Sequence, residues 1–138
     1  MLESLLIVDD DLRILSSLKR SLRKEKCQVH ISDSPKDALQ FLQMKSVDVV
    51  LSDYSMPSMS GANFLEHVAL RYPHIIRIML TGNRDFNTIK DAVNTGGISY
   101  FINKPWDDVE LISLIKMAFI EARNQKKGTE YSSLDQIR

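Results

Sequence analysis

The sequence predicts an α/β protein in which five parallel strands alternate with five helices. Short apolar runs occur five times along the chain, and a helix-length segment follows each of them. In those segments apolar residues recur at intervals of three and four, which is the period of an amphipathic helix. Strict alternation favours parallel strands joined by right-handed crossovers, with helices on both faces of the sheet. The near-continuous Val, Ile and Leu content of the runs agrees, because such strands are buried on both sides.

The five predicted strands are SLLIV at 4–8, CQVHI at 27–31, VDVVLS at 47–52, IIRIML at 75–80 and ISYFIN at 98–103. The apolar stripes of the five helices begin at Leu12, Ala38, Phe64, Phe86 and Leu111. Helix-start signals support this division. Ser34 and Ser60 precede the second and third helices as N-caps, and Asp107 with Glu110 forms an acidic capping box before the fifth.

Units of this length suit the flavodoxin-like strand order 2-1-3-4-5, which gives a doubly wound, three-layer sandwich. In such sheets ligands bind beyond the carboxyl ends of the strands, at the point where the strand order reverses. The residues that follow each strand are therefore the candidates for function.

Length and composition exclude several classes of protein. The 138 residues fit one domain, and 18 basic residues balance 18 acidic ones, so no basic surplus indicates nucleic-acid or membrane binding. Cys27 is the only cysteine, which excludes an internal disulfide and a zinc-ligand pattern. No stretch resembles a spanning helix or a signal peptide. We expect a cytoplasmic protein that uses neither a membrane nor direct nucleic-acid binding by this segment.

Polar residues stand at the ends of four predicted strands. Asp9 and Asp10 follow the first strand, Asp53 the third, Thr81 the fourth and Lys104 the fifth. In the predicted order these four strands are neighbours, with a spacing of about 4.8 Å between adjacent strands. A short hydroxyl one strand away and a long lysine stem two strands away can therefore both reach the acid at the end of the third strand.

This grouping favours phosphoryl chemistry. Carboxylates at one sheet edge raise each other's pKa unless a cation joins them, and Mg²⁺ takes one or two carboxylates together with phosphate oxygens. With a metal on one side of Asp53, Thr81 and Lys104 on the other can hold a transferred phosphoryl group, and a carboxylate nucleophile yields an aspartyl phosphate. Simpler interpretations remain open: the acids at 9–11 can cap the first helix, as we assign Asp11, and Asp53 can be an ordinary turn residue.

At these residues the sequence resembles the receiver domains of two-component response regulators, which have a chemotaxis-regulator-like fold. The resemblance runs from Leu5 to Arg123 and depends on IVDDD at 7–11, LSDYSMPSMSG at 51–61, MLTG at 79–82 and INKPW at 102–106. Each motif alone is weak, whereas all four in this order are specific. The resemblance implies a receiver domain over 1–123. The polar segment at 124–138 is interpreted as a linker, the frayed end of the fifth helix or a C-terminal tail, so the receiver either stands alone or leads to an output domain.

The resemblance implies Asp53 as the phosphoacceptor, with Thr81 and Lys104 on the phosphoryl oxygens. Gly82 leaves room for the group and donates its backbone amide. The implied donor is a phosphohistidine on a sensor histidine kinase or a phosphotransfer protein, or a small acyl phosphate.

The same resemblance implies Mg²⁺ as the cofactor. Its ligands are Asp10, Asp53 and the backbone carbonyl of Ser55, and Asp9 acts through water.

The resemblance also implies a switch in which Thr81 moves toward the phosphoryl group and Phe101 turns inward. This movement changes the face formed by the fourth helix, the fifth strand and the fifth helix, through which a phospho-dependent homodimer can form. Phenylalanine stands where tyrosine is common, and Tyr100 should point to the other side of the strand. A cis peptide bond between Lys104 and Pro105 is also expected.

The leading hypothesis is a signalling module that assists its own phosphorylation and dephosphorylation but is not a turnover enzyme. The KPWDD turn at 104–108 resembles receivers that carry HD-type cyclic-dinucleotide phosphodiesterase outputs. One alternative is a Mg²⁺-dependent phosphohydrolase with an aspartyl nucleophile. Such enzymes carry a second aspartate two residues beyond the nucleophile, where this chain has Ser55. The other alternative is a scaffold that keeps the fold and is never phosphorylated.

Overall fold

The chain alternates strands and helices in a computed structural model that describes residues 2–82, 90, 93–94 and 97–137. The strands in this part are β1 (Glu3–Val8), β2 (Cys27–Ser32), β3 (Val49–Asp53), β4 (Ile76–Thr81) and β5 (Tyr100–Asn103). The helices are α1 (Leu12–Ser21), α2 (Pro35–Met44), α3 (Gly61–Arg71) and α4 (Asp108–Ile137). The fifth predicted helix is thus α4. Most of the fourth predicted helix lies outside the described residues. Within that segment the structure describes residues 90, 93 and 94, and these three are helical.

The strands form one parallel sheet in the order β2-β1-β3-β4-β5, which confirms the prediction. Val8 pairs with Ser52 across β1 and β3, and Thr81 pairs with Asn103 across β4 and β5. The carboxyl ends of the strands therefore meet at one edge of the sheet.

The sheet has a core on each face because successive side chains of a strand point to opposite sides. One core joins the sheet to α1 and α4 and includes Leu5, Ile7, Leu51, Ile78, Leu15 and Ile115. The other joins it to α2 and α3 and includes Leu6, Val8, Val50, Met79, Ala38 and Phe64. The three-layer arrangement follows from this division.

The helices begin at the predicted capping residues. Asp11, Ser34 and Ser60 are the N-caps of α1, α2 and α3, and each side chain accepts a backbone N–H from the first turn. At the start of α4, the backbone N–H of Glu110 donates to Asp107 Oδ2 at 3.0 Å. These bonds satisfy donors that a helix start leaves unpaired.

The last helix is longer than the sequence indicates. It runs to Ile137 and so includes most of the segment predicted as a linker, a frayed helix end or a tail. Two ion pairs link the middle of α4 to the amino ends of β1 and β3. Arg123 Nε lies 3.4 Å from Glu3 Oε2, and Lys126 Nζ lies 2.8 Å from Asp48 Oδ1. No helix in the described ranges has the length and apolarity needed to cross a membrane.

Candidate functional site

Three carboxylates lie together at the carboxyl edge of the sheet. Asp9 and Asp10 follow β1, Asp53 ends β3, and one oxygen from each lies within 4.8 Å of the others. Asp9 and Asp53 are buried, whereas Asp10 is exposed. The group forms because β1 and β3 are adjacent and parallel, as the predicted strand order requires.

Lys104 reaches this group from β5, two strands away from Asp53. Its Nζ donates to Asp53 Oδ1 at 2.6 Å and to Asp9 Oδ2 at 3.5 Å. The Lys104 side chain is 26% exposed, whereas that of Asp9 is only 1% exposed. The partly exposed ammonium group of Lys104 thus donates hydrogen bonds to two buried carboxylates.

Burial and crowding of charge shift two pKa values in the site. Burial raises the pKa of Asp9, and the negative charge of Asp53 raises this pKa further. The backbone N–H of Asp11, which donates to Asp9 Oδ1 at 2.8 Å, lowers the pKa and so partly offsets the rise. Burial alone would lower the pKa of Lys104, but its hydrogen bond to Asp53 and the charges of Asp53 and Asp9 raise it overall. The lysine therefore stays protonated.

Thr81 and Gly82 lie beside this group at the end of β4. Thr81 is buried, and its carbonyl accepts the backbone N–H of Lys104 at 2.9 Å. Gly82 is exposed, and among the described residues a Cβ placed there would meet only Lys104 Cβ, at the ordinary contact distance of 3.8 Å. Packing against the described part of the chain therefore does not require a glycine at this position.

The two aromatic residues of β5 face opposite cores. Half-buried Phe101 packs against the core formed with α2 and α3, whereas Tyr100 packs against the core formed with α1 and α4. The Tyr100 hydroxyl donates to the carboxylate of Glu121 on α4. The predicted opposite orientation of the pair is therefore confirmed.

Two further predicted features lie in loops at the same edge. Ser55 is exposed in the loop that leads from β3 to α3. The Lys104–Pro105 peptide bond is cis, as expected. The indole N–H of Trp106 donates to Ser21 Oγ at 3.3 Å, which ties this loop to the end of α1.

Sequence reasoning missed two residues next to Asp53. Ser52 Oγ donates to the backbone carbonyl oxygen of Asp53 at 3.0 Å, and Gly61 abuts the same carbonyl. The available signals were a serine within an apolar run and a glycine directly after the N-cap Ser60. Neither signal identifies a contact with Asp53 until the loop between β3 and α3 is known.

A doubly wound parallel sheet with clustered carboxylates and a lysine at its carboxyl edge is consistent with the class of receiver domains that the sequence resembles. Residues 5–116 match the family model described as the response regulator receiver domain, and the chain belongs to that family. It is a receiver domain of the two-component type, which confirms the resemblance found in the sequence.

Known proteins agree with this assignment. The chain is 37% identical over 120 residues to the hydrogenase transcriptional regulatory protein HoxA of Cupriavidus necator, covering 87% of this chain and 24% of HoxA. It thus spans about a quarter of the length of this relative. Two solved structures are also similar to it. The signal receiver domain of an HD domain-containing protein from Pseudomonas fluorescens Pf-5 has a TM-score of 0.87 and 32% identity, covering 91% of this chain and 93% of the other. A CheY-like receiver domain protein from Methanospirillum hungatei JF-1 has a TM-score of 0.84 and 30% identity, covering 91% and 99%.

Proposed function

We propose that Asp53 accepts a phosphoryl group from a phosphohistidine of a sensor histidine kinase or phosphotransfer protein. A carboxylate oxygen of Asp53 bonds to phosphorus, the phosphorus–nitrogen bond breaks, and its electron pair returns to the imidazole of the donor. The observation that carries the proposal is the position of Asp53, buried between a lysine and two further carboxylates at the edge where such sheets bind ligands.

Lys104, Thr81 and Gly82 serve the incoming phosphoryl group. Lys104 Nζ lies 2.6 Å from Asp53 Oδ1, so it can exchange this carboxylate for the oxygens of a phosphoryl group attached there. Thr81 ends the strand next to β3 and supplies a hydroxyl. Gly82 supplies its backbone N–H, and its lack of a side chain leaves room beside Lys104.

The acid cluster fits Mg²⁺, a hard cation that prefers oxygen ligands. Three carboxylates and one ammonium leave two negative charges in excess, which one divalent cation balances. Asp10, Asp53 and the backbone carbonyl of Ser55 would hold the ion, and Asp9 would act through water. The bound ion supplies positive charge to the phosphoryl oxygens. The exposure of Asp10 is consistent with a site that a hydrated cation can enter.

The domain acts as a switch rather than as a turnover enzyme. On phosphorylation Thr81 moves toward Asp53 and Phe101 turns inward. These two movements alter the surface of the face that includes β5 and α4. The half-buried state of Phe101 is compatible with two positions. This face is also where a phospho-dependent homodimer would form.

Residues 1–123 form the receiver domain, and α4 leads out of it toward an output domain in the same polypeptide. The greater length of HoxA supports an output in cis. The HD domain-containing protein among the similar structures supports the HD-type output suggested by the KPWDD turn at 104–108.

Binding of beryllofluoride, a stable mimic of the phosphoryl group, tests the proposal. With Mg²⁺ it should raise the melting temperature of the wild type and leave that of Asp53→Asn unchanged. Asp33→Asn, which removes an exposed carboxylate after β2, is the matched control and should respond as the wild type does. Equal stabilisation of Asp53→Asn would place the acceptor elsewhere, and an unresponsive wild type would indicate the scaffold alternative.

A further inference from the structure

The backbone carbonyl of Asp53 is contacted by two residues with no part in the proposed chemistry. Ser52 is fully buried, and its Oγ donates to this carbonyl oxygen at 3.0 Å. Gly61, the first residue of α3, lies so close that a Cβ there would be 1.9 Å from the same oxygen and 2.9 Å from the carbonyl carbon.

The rest of this peptide unit is also fixed. Its N–H, which is that of Tyr54, donates to the carbonyl of Leu80 in β4 at 3.0 Å. In the next peptide unit, the carbonyl of Tyr54 accepts the N–H of Gly61 at 2.7 Å. Both polar groups of the Asp53–Tyr54 peptide therefore have partners. A peptide held in this way sets the direction in which the Asp53 side chain leaves the backbone.

We propose that Ser52 and Gly61 are positioning residues for phosphoryl transfer, which orient the peptide after Asp53 and thereby aim its carboxylate. The inference deepens the proposed function and rests on it. Ser52 acts through its hydroxyl, and Gly61 acts through the lack of a side chain, which lets α3 begin against the Asp53 carbonyl.

The geometry sets the size of each effect. Cβ atoms do not approach other atoms closer than 3.0 Å, so Gly61→Ala requires a shift of about 1.1 Å. A misplacement of about 1 Å at a reacting group slows a reaction roughly 100-fold. Ser52→Ala removes one hydrogen bond while Gly61 and Leu80 still hold the peptide, which corresponds to a rate roughly 3-fold to 10-fold lower.

The chain offers a matched control for each substitution. Ser4 is a buried strand serine whose Oγ also donates to a backbone carbonyl, that of Ser46 at 3.4 Å, at the opposite end of the sheet. Gly97 is also closely packed, since a Cβ there would lie 3.0 Å from the backbone nitrogen of Glu66. Neither control contacts the Asp53 peptide in the described part of the structure.

The test is the rate of phosphorylation by acetyl phosphate with saturating Mg²⁺, followed by intact mass, with the melting temperature of every variant measured alongside. Ser52→Ala should lower the maximal rate with little change in the acetyl phosphate concentration at half-maximal rate. Gly61→Ala should lower that rate further, while Ser4→Ala and Gly97→Ala stay within about twofold of the wild type. If Ser52 and Gly61 had a purely structural role, their variants would melt at lower temperatures, but the maximal rate would not fall selectively at an unchanged acetyl phosphate concentration for half-maximal rate.

The outcomes separate the two proposals. A wild type that acetyl phosphate does not label and beryllofluoride does not stabilise would overturn the proposed function and this inference with it. A labelled wild type with Ser52→Ala as fast as Ser4→Ala would overturn this inference alone. If Gly61→Ala does not fold, the comparison of the two serine variants decides the question.

Discussion

Replacing Lys104 by methionine should destabilise the metal-free domain and make its stability depend more strongly on Mg²⁺. Methionine keeps most of the apolar stem and removes the charge. Without the ammonium group, the buried carboxylates of Asp9 and Asp53 lose the hydrogen-bonding cation that lies 3.5 Å and 2.6 Å from them. The remaining acids then repel one another with no compensating charge in the site.

The structure gives the expected size of this loss. Removing one partner of a fully buried ion pair costs about 3–5 kcal/mol. Because the Lys104 side chain is 26% exposed, solvent screens part of the interaction, and we expect about 2 kcal/mol. With an unfolding entropy of about 2.1 cal/mol/K per residue, a chain of 138 residues should lose about 7 °C in melting temperature.

Thermal unfolding followed by circular dichroism, with EDTA and with saturating Mg²⁺, measures this loss. Mg²⁺ should reduce the gap between wild type and Lys104→Met, because the cation supplies positive charge to the same carboxylates. Lys126→Met is the matched control, since Lys126 pairs with Asp48 at 2.8 Å and that pair belongs to the far end of the sheet. Its loss should be the same in both conditions. If Lys104→Met lowered the melting temperature equally with and without Mg²⁺, or did not lower it in EDTA, the claim that Lys104 and Mg²⁺ both neutralise these carboxylates would be refuted.

Three further outcomes are expected. Burial lowers the pKa of His30 in the folded protein below its ordinary value of 6.5, so the unfolded chain takes up a proton at a higher pH than the folded one. The free energy of unfolding should therefore fall as the pH drops below about 6.5. His30→Gln should reduce this pH dependence, as measured by urea unfolding at several pH values. Tyr100→Phe removes the hydrogen bond to Glu121 and should cost about 1 kcal/mol of unfolding free energy, measured in urea; an unchanged midpoint would contradict the bond. Gly82→Ala should unfold within about 0.5 kcal/mol of the wild type, because among the described residues the new methyl meets only Lys104 Cβ. It should be labelled more slowly by acetyl phosphate, and an equal rate would count against a phosphoryl group beside Gly82.

The sheet and most of the acid and lysine cluster follow from the sequence because they depend on strand order. Once β1, β3, β4 and β5 are placed side by side, residues directly after them must meet at one edge. Asp9, Asp10, Asp53 and Lys104 come together for this reason, and the long lysine stem reaches Asp53 past β4, the one strand between β5 and β3. Helix starts are equally local, since an N-cap such as Asp11 bonds within its own turn.

Features that depend on contacts between distant parts of the chain could not be predicted. The polar composition after Arg123 suggests a linker, a frayed end or a tail, yet the helix continues and its Lys126 meets Asp48 across 78 positions of sequence. The contact of Gly61 with the Asp53 carbonyl depends on how the intervening loop returns α3 to the sheet. In each case the pairing comes from tertiary packing and leaves no periodic signal.

The measurement that tests the central claim most directly is intact mass after incubation with acetyl phosphate, with and without Mg²⁺, for the wild type and Asp53→Asn. A single phosphoryl adduct that requires Mg²⁺ and is absent from Asp53→Asn would establish Asp53 as the acceptor. An adduct that persists in Asp53→Asn, or a wild type that remains unlabelled with Mg²⁺ and does not bind beryllofluoride, would contradict it.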